Sequence, residues 1–300
     1  MPTPDGELWR DIYFTASDGL QLHARHYPAA DRGARPAICL PGLTRNGRDF
    51  HDLAVALATD SKRPRDVYAI DYRGRGLSEW DRDWENYTPL VELYDTLDFM
   101  AIAGVHQAAI IGTSRGGLIA MAMAGLRPAA IGAVVLNDIG PVIESRGLAR
   151  ILGHLGKTPT PESWEDATAL VREMNERDFP AIEPAQWEEV ARAIFNEEDG
   201  KPARSYDPDL GKAFEGIDLS QPGTEQWLAF TGLYPFPTLA LRGENSDILS
   251  PETLERMAEL HPNLESEIIA GEGHAPMLKD RRSIEIVAQF LTANDPFIRG

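Results

Sequence analysis

Short apolar runs without polar alternation recur along the chain, at Pro36–Leu40, Val67–Ile70, Ala108–Gly112, Ala133–Leu136, Pro237–Leu241 and Glu267–Ala270. A strand covered on both faces of a sheet reads this way, because neither set of alternating side chains meets water. Between these runs, apolar residues fall at i, i+3, i+4, i+7: Phe50, Leu53, Ala54, Leu57; then Leu90, Leu93, Tyr94, Leu97; and late in the chain Ile284, Val287, Ala288, Leu291. That spacing places one apolar stripe on a helix. Strands alternating with helices predict an α/β fold: a mainly parallel sheet of about eight strands with helices on both faces. Ahead of them, Leu8 to Tyr27 alternates and turns at Ser17-Asp18-Gly19, which predicts a hairpin and so an antiparallel front edge.

The alternation stops between Gly140 and about Leu233, where Trp164, Trp187 and Trp227 are embedded in acidic, helix-prone sequence and no buried strand is evident. Pro141 opens this stretch, and Leu233-Tyr234-Pro235-Phe236-Pro237 leads back to the strand pattern. The expectation is a core domain formed by 1–140 and 234–300, with a helical cap, 141–233, inserted after the sixth strand. Such an insert belongs over the carboxyl ends of the strands, where open α/β sheets bind ligands.

Composition narrows the class. With 29 basic against 47 acidic residues the net charge is -18, which repels nucleic acid and anionic membranes, so neither is an expected partner. The apolar runs are far short of the ~20 residues of a spanning helix. Met1–Gly6 has neither a basic nor an apolar segment, so a cytoplasmic location is expected by default. Cys39, the single cysteine, can form no internal disulfide and reads as a small buried hydrophobe. Nothing in the sequence sets the oligomeric state.

The chemistry gathers at strand ends. Gly112-Thr113-Ser114-Arg115-Gly116-Gly117 is a G-x-S-x-G pattern directly after one strand run and before a helical one, Leu118 to Leu126. A serine there is presented above the sheet on a tight turn, and small residues on either side let the backbone bend. Serine needs a histidine to take its proton, and of the seven only His274, in Gly271-Glu272-Gly273-His274-Ala275-Pro276, follows the last strand run. His23 and His26 stand three apart on one strand, face opposite ways and make no metal pair; His51, His106, His154 and His261 read as surface or packing residues. The orienting carboxylate should lie between serine and histidine at another strand end. Asp247 fits best, Asp138 competes from the neighbouring strand, and Glu244 is a weaker third. Two backbone N–H groups must stabilise an oxyanion. Arg115 is one, and Leu43, with Thr44 as alternative, is the other, from the loop Leu40–Gly47.

These motifs resemble the α/β-hydrolase superfamily, in a branch with a cap, from Ile12 to Leu291. Asp71-Tyr72-Arg73-Gly74-Arg75-Gly76-Leu77-Ser78 is similar to that family's D-x-R-G-x-G-x-S segment, in which the equivalent of Arg73 is structural. Two departures stand out: Pro41-Gly42 replaces the family's common His-Gly, removing a side chain that often braces the loop, and Arg115 occupies a position often apolar or neutral. A serine nucleophile argues against the dehalogenase and epoxide hydrolase branches. The resemblance implies a small-molecule substrate, no metal and no organic cofactor. A carboxylic ester or lactone is the first expectation; a carbon–carbon bond in a ring-cleavage diketone, a perhydrolase or an acyltransferase uses the same three residues, and some members are ligand receptors.

Arg45 and Arg115 flank the oxyanion donors. Guanidinium groups near a pocket are costly to desolvate unless paired with acids or exposed to water, so each is either paired or available to clamp a substrate carboxylate or enolate. Trp164 and Trp187 are the other candidates for substrate contact.

Overall fold

Every apolar run forms a strand of one sheet in the computed structural model, which describes residues 8–30, 33–216 and 225–296. Met1–Gly6 and the outer ends of the expected domain spans lie outside the described residues. In chain order come β1 (Arg10–Thr15), β2 (Gln21–Tyr27), β3 (Ala37–Leu40), α1 (His51–Ala58), β4 (Val67–Asp71), α2 (Pro89–Ile102), β5 (Ala108–Thr113), α3 (Arg115–Leu126) and β6 (Ile131–Asn137). There follow α4 (Ser145–His154), α5 (Trp164–Asn175), α6 (Trp187–Ile194), β7 (Asn196–Glu198), β8 (Lys201–Ala203) and α7 (Trp227–Thr231). The chain closes with β9 (Thr238–Gly243), α8 (Pro251–Leu260), β10 (Leu264–Ile269) and α9 (Arg281–Ala293).

The main sheet has eight strands in the order β1-β2-β4-β3-β5-β6-β9-β10. β1 and β2 pair antiparallel, β2 meets β4 antiparallel, and all other neighbours are parallel. The runs that form β3, β4, β5, β6 and β9 are buried on both faces, whereas the Glu267–Ala270 run falls on the edge strand β10, whose residues 265–268 are exposed because no strand pairs beyond it. Ile38, Ile110 and Val134 pack into one apolar layer, while their chain neighbours Cys39, Ile111 and Val135 pack into the other. Burial pushes the Cys39 thiol well above its usual range. Helix starts follow local chemistry: Thr88 and Ser250 cap α2 and α8 with side-chain oxygens, and Pro89 and Pro251 take first-turn positions where no N–H is needed.

Between β6 and β9 no described residue adds a strand to this sheet. Its α5 and α6 pack on a separate apolar cluster that includes Ala167, Val171, Phe179, Trp187 and Val190. The β7–β8 hairpin is short and mostly exposed, so it leaves no buried-strand signal in the sequence. No helix among the described residues is long and apolar enough to cross a membrane.

Candidate active site

Three strand ends build the site. β5 delivers Ser114 on a turn with φ +51°, a backbone conformation rare for a residue with a side chain. The turn works because its flanks have no Cβ: one on Gly116 would lie 2.1 Å from the Leu40 carbonyl oxygen, and one on Gly112 would lie 2.4 Å from the Gly116 backbone. The Ser114 N–H donates to the Asn137 carbonyl at 3.0 Å, tying the turn to the end of β6.

His274 follows β10, and its Nε2 lies 2.9 Å from Ser114 Oγ. Its Nδ1 lies 2.7 Å from Asp138 Oδ2. Asp138 is fully buried at the end of β6 and accepts two further hydrogen bonds, from Gly243 N–H at 2.9 Å and Ser246 Oγ–H at 2.6 Å. An ionised carboxylate with these donors requires the histidine proton on Nδ1, which leaves Nε2 free to accept from the serine hydroxyl. Asn137 Nδ2 donates to the Pro276 carbonyl at 2.8 Å, and Glu272 accepts from Met277 N–H at 2.6 Å, so the histidine loop is held from both sides.

Asp247, the first expectation for the carboxylate, is elsewhere. Both its oxygens accept from Arg150, Nε and Nη2, at 2.7 Å each. Burial raises its pKa, but the Arg150 hydrogen bonds and charge outweigh that and hold the carboxyl below its ordinary value. The reason is one of reach: Asp138 directly continues β6, whereas Asp247 lies beyond the Gly243–Ser246 turn, which itself donates to Asp138. Glu244 is turned toward Gly271 N–H, at 2.8 Å, and is not a partner of His274.

Leu43, Thr44 and Arg45 line one cavity of about 200 Å³ with Ser114 and His274. Arg115 opens α3, so its backbone N–H has no partner within the helix. The missing loop histidine is compensated by two buried groups from the segment after β4. Asp71 accepts from Gly47 N–H at 2.6 Å and Leu77 N–H at 2.9 Å, and Arg75 donates to the Leu43 carbonyl at 3.0 Å. Arg73 binds Asp95, Asp18 and Asp81, a structural role.

The substrate-contact candidates divide. Arg115 points its guanidinium into the protein, where Glu92 lies fully buried between it, at 2.6 Å, and Arg75, at 2.9 Å. Arg45 does line the cavity, with Asp49 as its partner. Neither tryptophan lines it: Trp187 is buried in the cluster between α5 and α6, and Trp164 lies under Arg192, 4.2 Å from the ring centre. The apolar wall comes instead from Ile151, Phe179, Val190 and Ile194. Helical periodicity alone could not tell which tryptophan face met the cavity. Arg150, with no partner spacing in the sequence, gave no signal before the fold placed it beside Ser114.

A mainly parallel sheet that brings a serine turn, a histidine after the last strand and a buried aspartate together is the arrangement expected of a hydrolase. Residues 37–288 match the alpha/beta hydrolase family, and the chain belongs to it. It is 32% identical, over 91% of its length and 94% of the other's, to a 3-hydroxybutyrate-oligomer hydrolase of Cupriavidus necator. It is 26% identical to an sn-1-specific diacylglycerol lipase of Xenopus laevis, over 80% and 73% of the two chains. A crystal structure of an alpha/beta hydrolase from Novosphingobium aromaticivorans superposes with a TM-score of 0.87 at 39% identity, covering 95% of this chain and 98% of that one.

Proposed function

We propose that this hydrolase cleaves carboxylic esters through an acyl-enzyme on Ser114, with short oligoesters of hydroxy acids as its substrate class. The observation that carries the mechanism is the unbroken chain from Ser114 Oγ through His274 to Asp138 at the cavity wall. Ser114 Oγ attacks the ester carbonyl carbon while His274 Nε2 takes its proton, and Asp138 stabilises the imidazolium. The Leu43 and Arg115 N–H groups receive the oxyanion. As the carbon–oxygen bond breaks, His274 gives the proton to the departing alcohol. Water, deprotonated by His274, then adds to the acyl carbon, and the carboxylic acid leaves Ser114.

The substrate class is supported by the relative from Cupriavidus necator, whose name places it on 3-hydroxybutyrate oligomers and whose similarity covers nearly its whole length. The segment between β6 and β9 acts as the cap in this reading, since its residues Ile151, Phe179, Val190 and Ile194 face Ser114 across the cavity. A fluorophosphonate probe tests the nucleophile: it labels Ser114 in the parent and nothing in Ser114→Ala, and labelling of another serine overturns the assignment. Turnover of a 3-hydroxybutyrate dimer and of p-nitrophenyl butyrate, set beside a lactone and a ring-cleavage diketone, tests the bond. Cleavage of the diketone alone would reject the ester reading.

A further inference from the structure

The lining of the Ser114 cavity is basic in an acidic protein. The Ser114 cavity continues into a second compartment, also of about 200 Å³, and the two share Thr44, Arg45, Arg150, Ile151, Asn175 and Ile194. Among the described residues, Asp49 is the one carboxylate lining either compartment, against the cations Arg45, Arg150, Arg204 and Lys279. The whole chain carries a net charge of -18, so this local reversal is not a consequence of composition.

Two of the four cations are committed elsewhere. Lys279 binds Glu189 at 2.7 Å, and Arg204 spends both terminal nitrogens on the carbonyls of Gly156 and Thr158. Arg45 and Arg150 differ from these in one respect. Each is fixed by a single carboxylate along one edge, Nε and Nη2, Arg45 by Asp49 and Arg150 by Asp247. The Nη1 of each has no partner among the described residues, and both arginines line the two compartments. Pairing lowers the cost of holding a guanidinium beside an apolar wall and fixes its plane.

Arg150 is also held in place by its backbone. A Cβ on Gly147 would lie 2.2 Å from the Asp247 carbonyl oxygen, so α4 sits directly on the loop after β9, and Glu144 N–H donates to the Ile248 carbonyl at 3.0 Å. Asp247 therefore positions Arg150 both through the helix and through the ion pair.

We infer that Arg45 and Arg150 form a carboxylate subsite, which receives the free acid end of a hydroxy-acid oligoester while its ester bond lies at Ser114, with Asp247 as the positioning residue of Arg150. This rests on the ester reading for its substrate class but is tested by binding, which needs no turnover. In Ser114→Ala protein, calorimetry compares the 3-hydroxybutyrate dimer with its methyl ester, identical but for the charge. The free acid should bind about tenfold or more tightly, the usual size of charge-assisted hydrogen bonds. The difference should shrink in added salt, because the cavity is open to water. Added Arg45→Gln or Arg150→Gln should each reduce it, and the pair should abolish it; Asp247→Asn should reduce it while leaving Arg150 present. Circular dichroism and a urea midpoint establish that each variant is folded, and Arg150→Lys, which keeps the charge, should retain part of the preference. Equal binding of acid and methyl ester, no binding of either, or a preference that survives the double variant overturns the inference. If the acid is preferred but the parent hydrolyses neither compound, the subsite stands and the ester reading fails.

Discussion

Replacing Asp138 by asparagine separates the two aspartates that strand order leaves in competition. The backbone at Asp138 has φ +56°, a conformation that asparagine tolerates better than most residues, so the turn should survive. The amide can keep its oxygen toward the Gly243 N–H, which donates at 2.9 Å in the parent. Its NH2 then faces His274 Nδ1 and Ser246 Oγ, where Oδ2 stood at 2.7 and 2.6 Å. The opposite flip sets two donors against each other at Gly243. In the orientation that keeps the Gly243 hydrogen bond, Nδ1 must accept rather than donate, the proton moves to Nε2, and His274 can no longer receive the Ser114 proton. A tautomer error of this kind costs about 10⁴ in kcat, or about 5 kcal/mol of transition-state stabilisation. Initial rates on p-nitrophenyl butyrate, a neutral ester, measure it, with urea midpoints showing that the protein is folded. Asp247→Asn, whose carboxylate contacts Arg150 and not His274, should lose no more than about tenfold on the same ester. If Asp247→Asn proves the more damaging change, or Asp138→Asn retains rates within about tenfold of the parent, the hydrogen-bonded chain is not the catalytic one.

Gly116→Ala should lower stability by at least about 2 kcal/mol and reduce esterase activity, because the new Cβ meets the Leu40 carbonyl at 2.1 Å; an unchanged urea midpoint would contradict the close approach. Glu92→Leu should cost about 3–5 kcal/mol by leaving the buried Arg75 and Arg115 without their shared acid, read from the same midpoint. For Asp71, burial raises the pKa, but the His23 hydrogen bond and charge with the Gly47 and Leu77 N–H groups hold it below the usual carboxylate value. Its contribution to stability is then present above the unfolded-state pKa and lost as pH falls through the lower folded value, so Asp71→Asn should flatten the stability loss between about pH 5 and pH 3.

Most of the sheet was legible because burial on both faces erases alternation, and parallel pairing follows from strands separated by helices. That Ser114 and His274 meet was legible for a local reason: a strand-to-helix turn leaves a glycine pattern, and a histidine after the last strand has few rivals. The acid was not. Asp138 and Asp247 each follow a strand, and which reaches His274 depends on where β9 lies relative to β6, a distance between residues more than a hundred positions apart. Side-chain direction was also hidden. Arg115 and Arg45 flank the same loop in sequence, yet Arg115 turns inward to Glu92, a residue on α2, and Arg45 stays at the cavity. The loop after β3 shows a third case, because its brace comes from Asp71 and Arg75, whose motif gives no hint of the backbone groups it would hold.

The segment Gly243–Leu249 connects these observations. Gly243 N–H and Ser246 Oγ–H hold the carboxylate of Asp138, while Ile248 and Leu249 N–H groups donate to Ser246 Oγ and so aim its proton. The next residue, Asp247, points the other way and fixes Arg150 on α4. Arg242, at the end of β9, donates to the carbonyls of Glu244, Ser246 and Leu249, which leaves the turn little freedom to move one aspartate's support without the other's. A single braced turn thus holds Asp138, the acid of the proposed mechanism, on one side and Arg150, a cation lining the cavity, on the other. That arrangement gives α4 a reason to rest on the turn through Gly147, where a Cβ would lie 2.2 Å from the Asp247 carbonyl oxygen and force helix and turn apart. It also accounts for an aspartate at position 247 that resembles a catalytic acid in sequence: the turn needs an acid there, but to hold an arginine rather than a histidine.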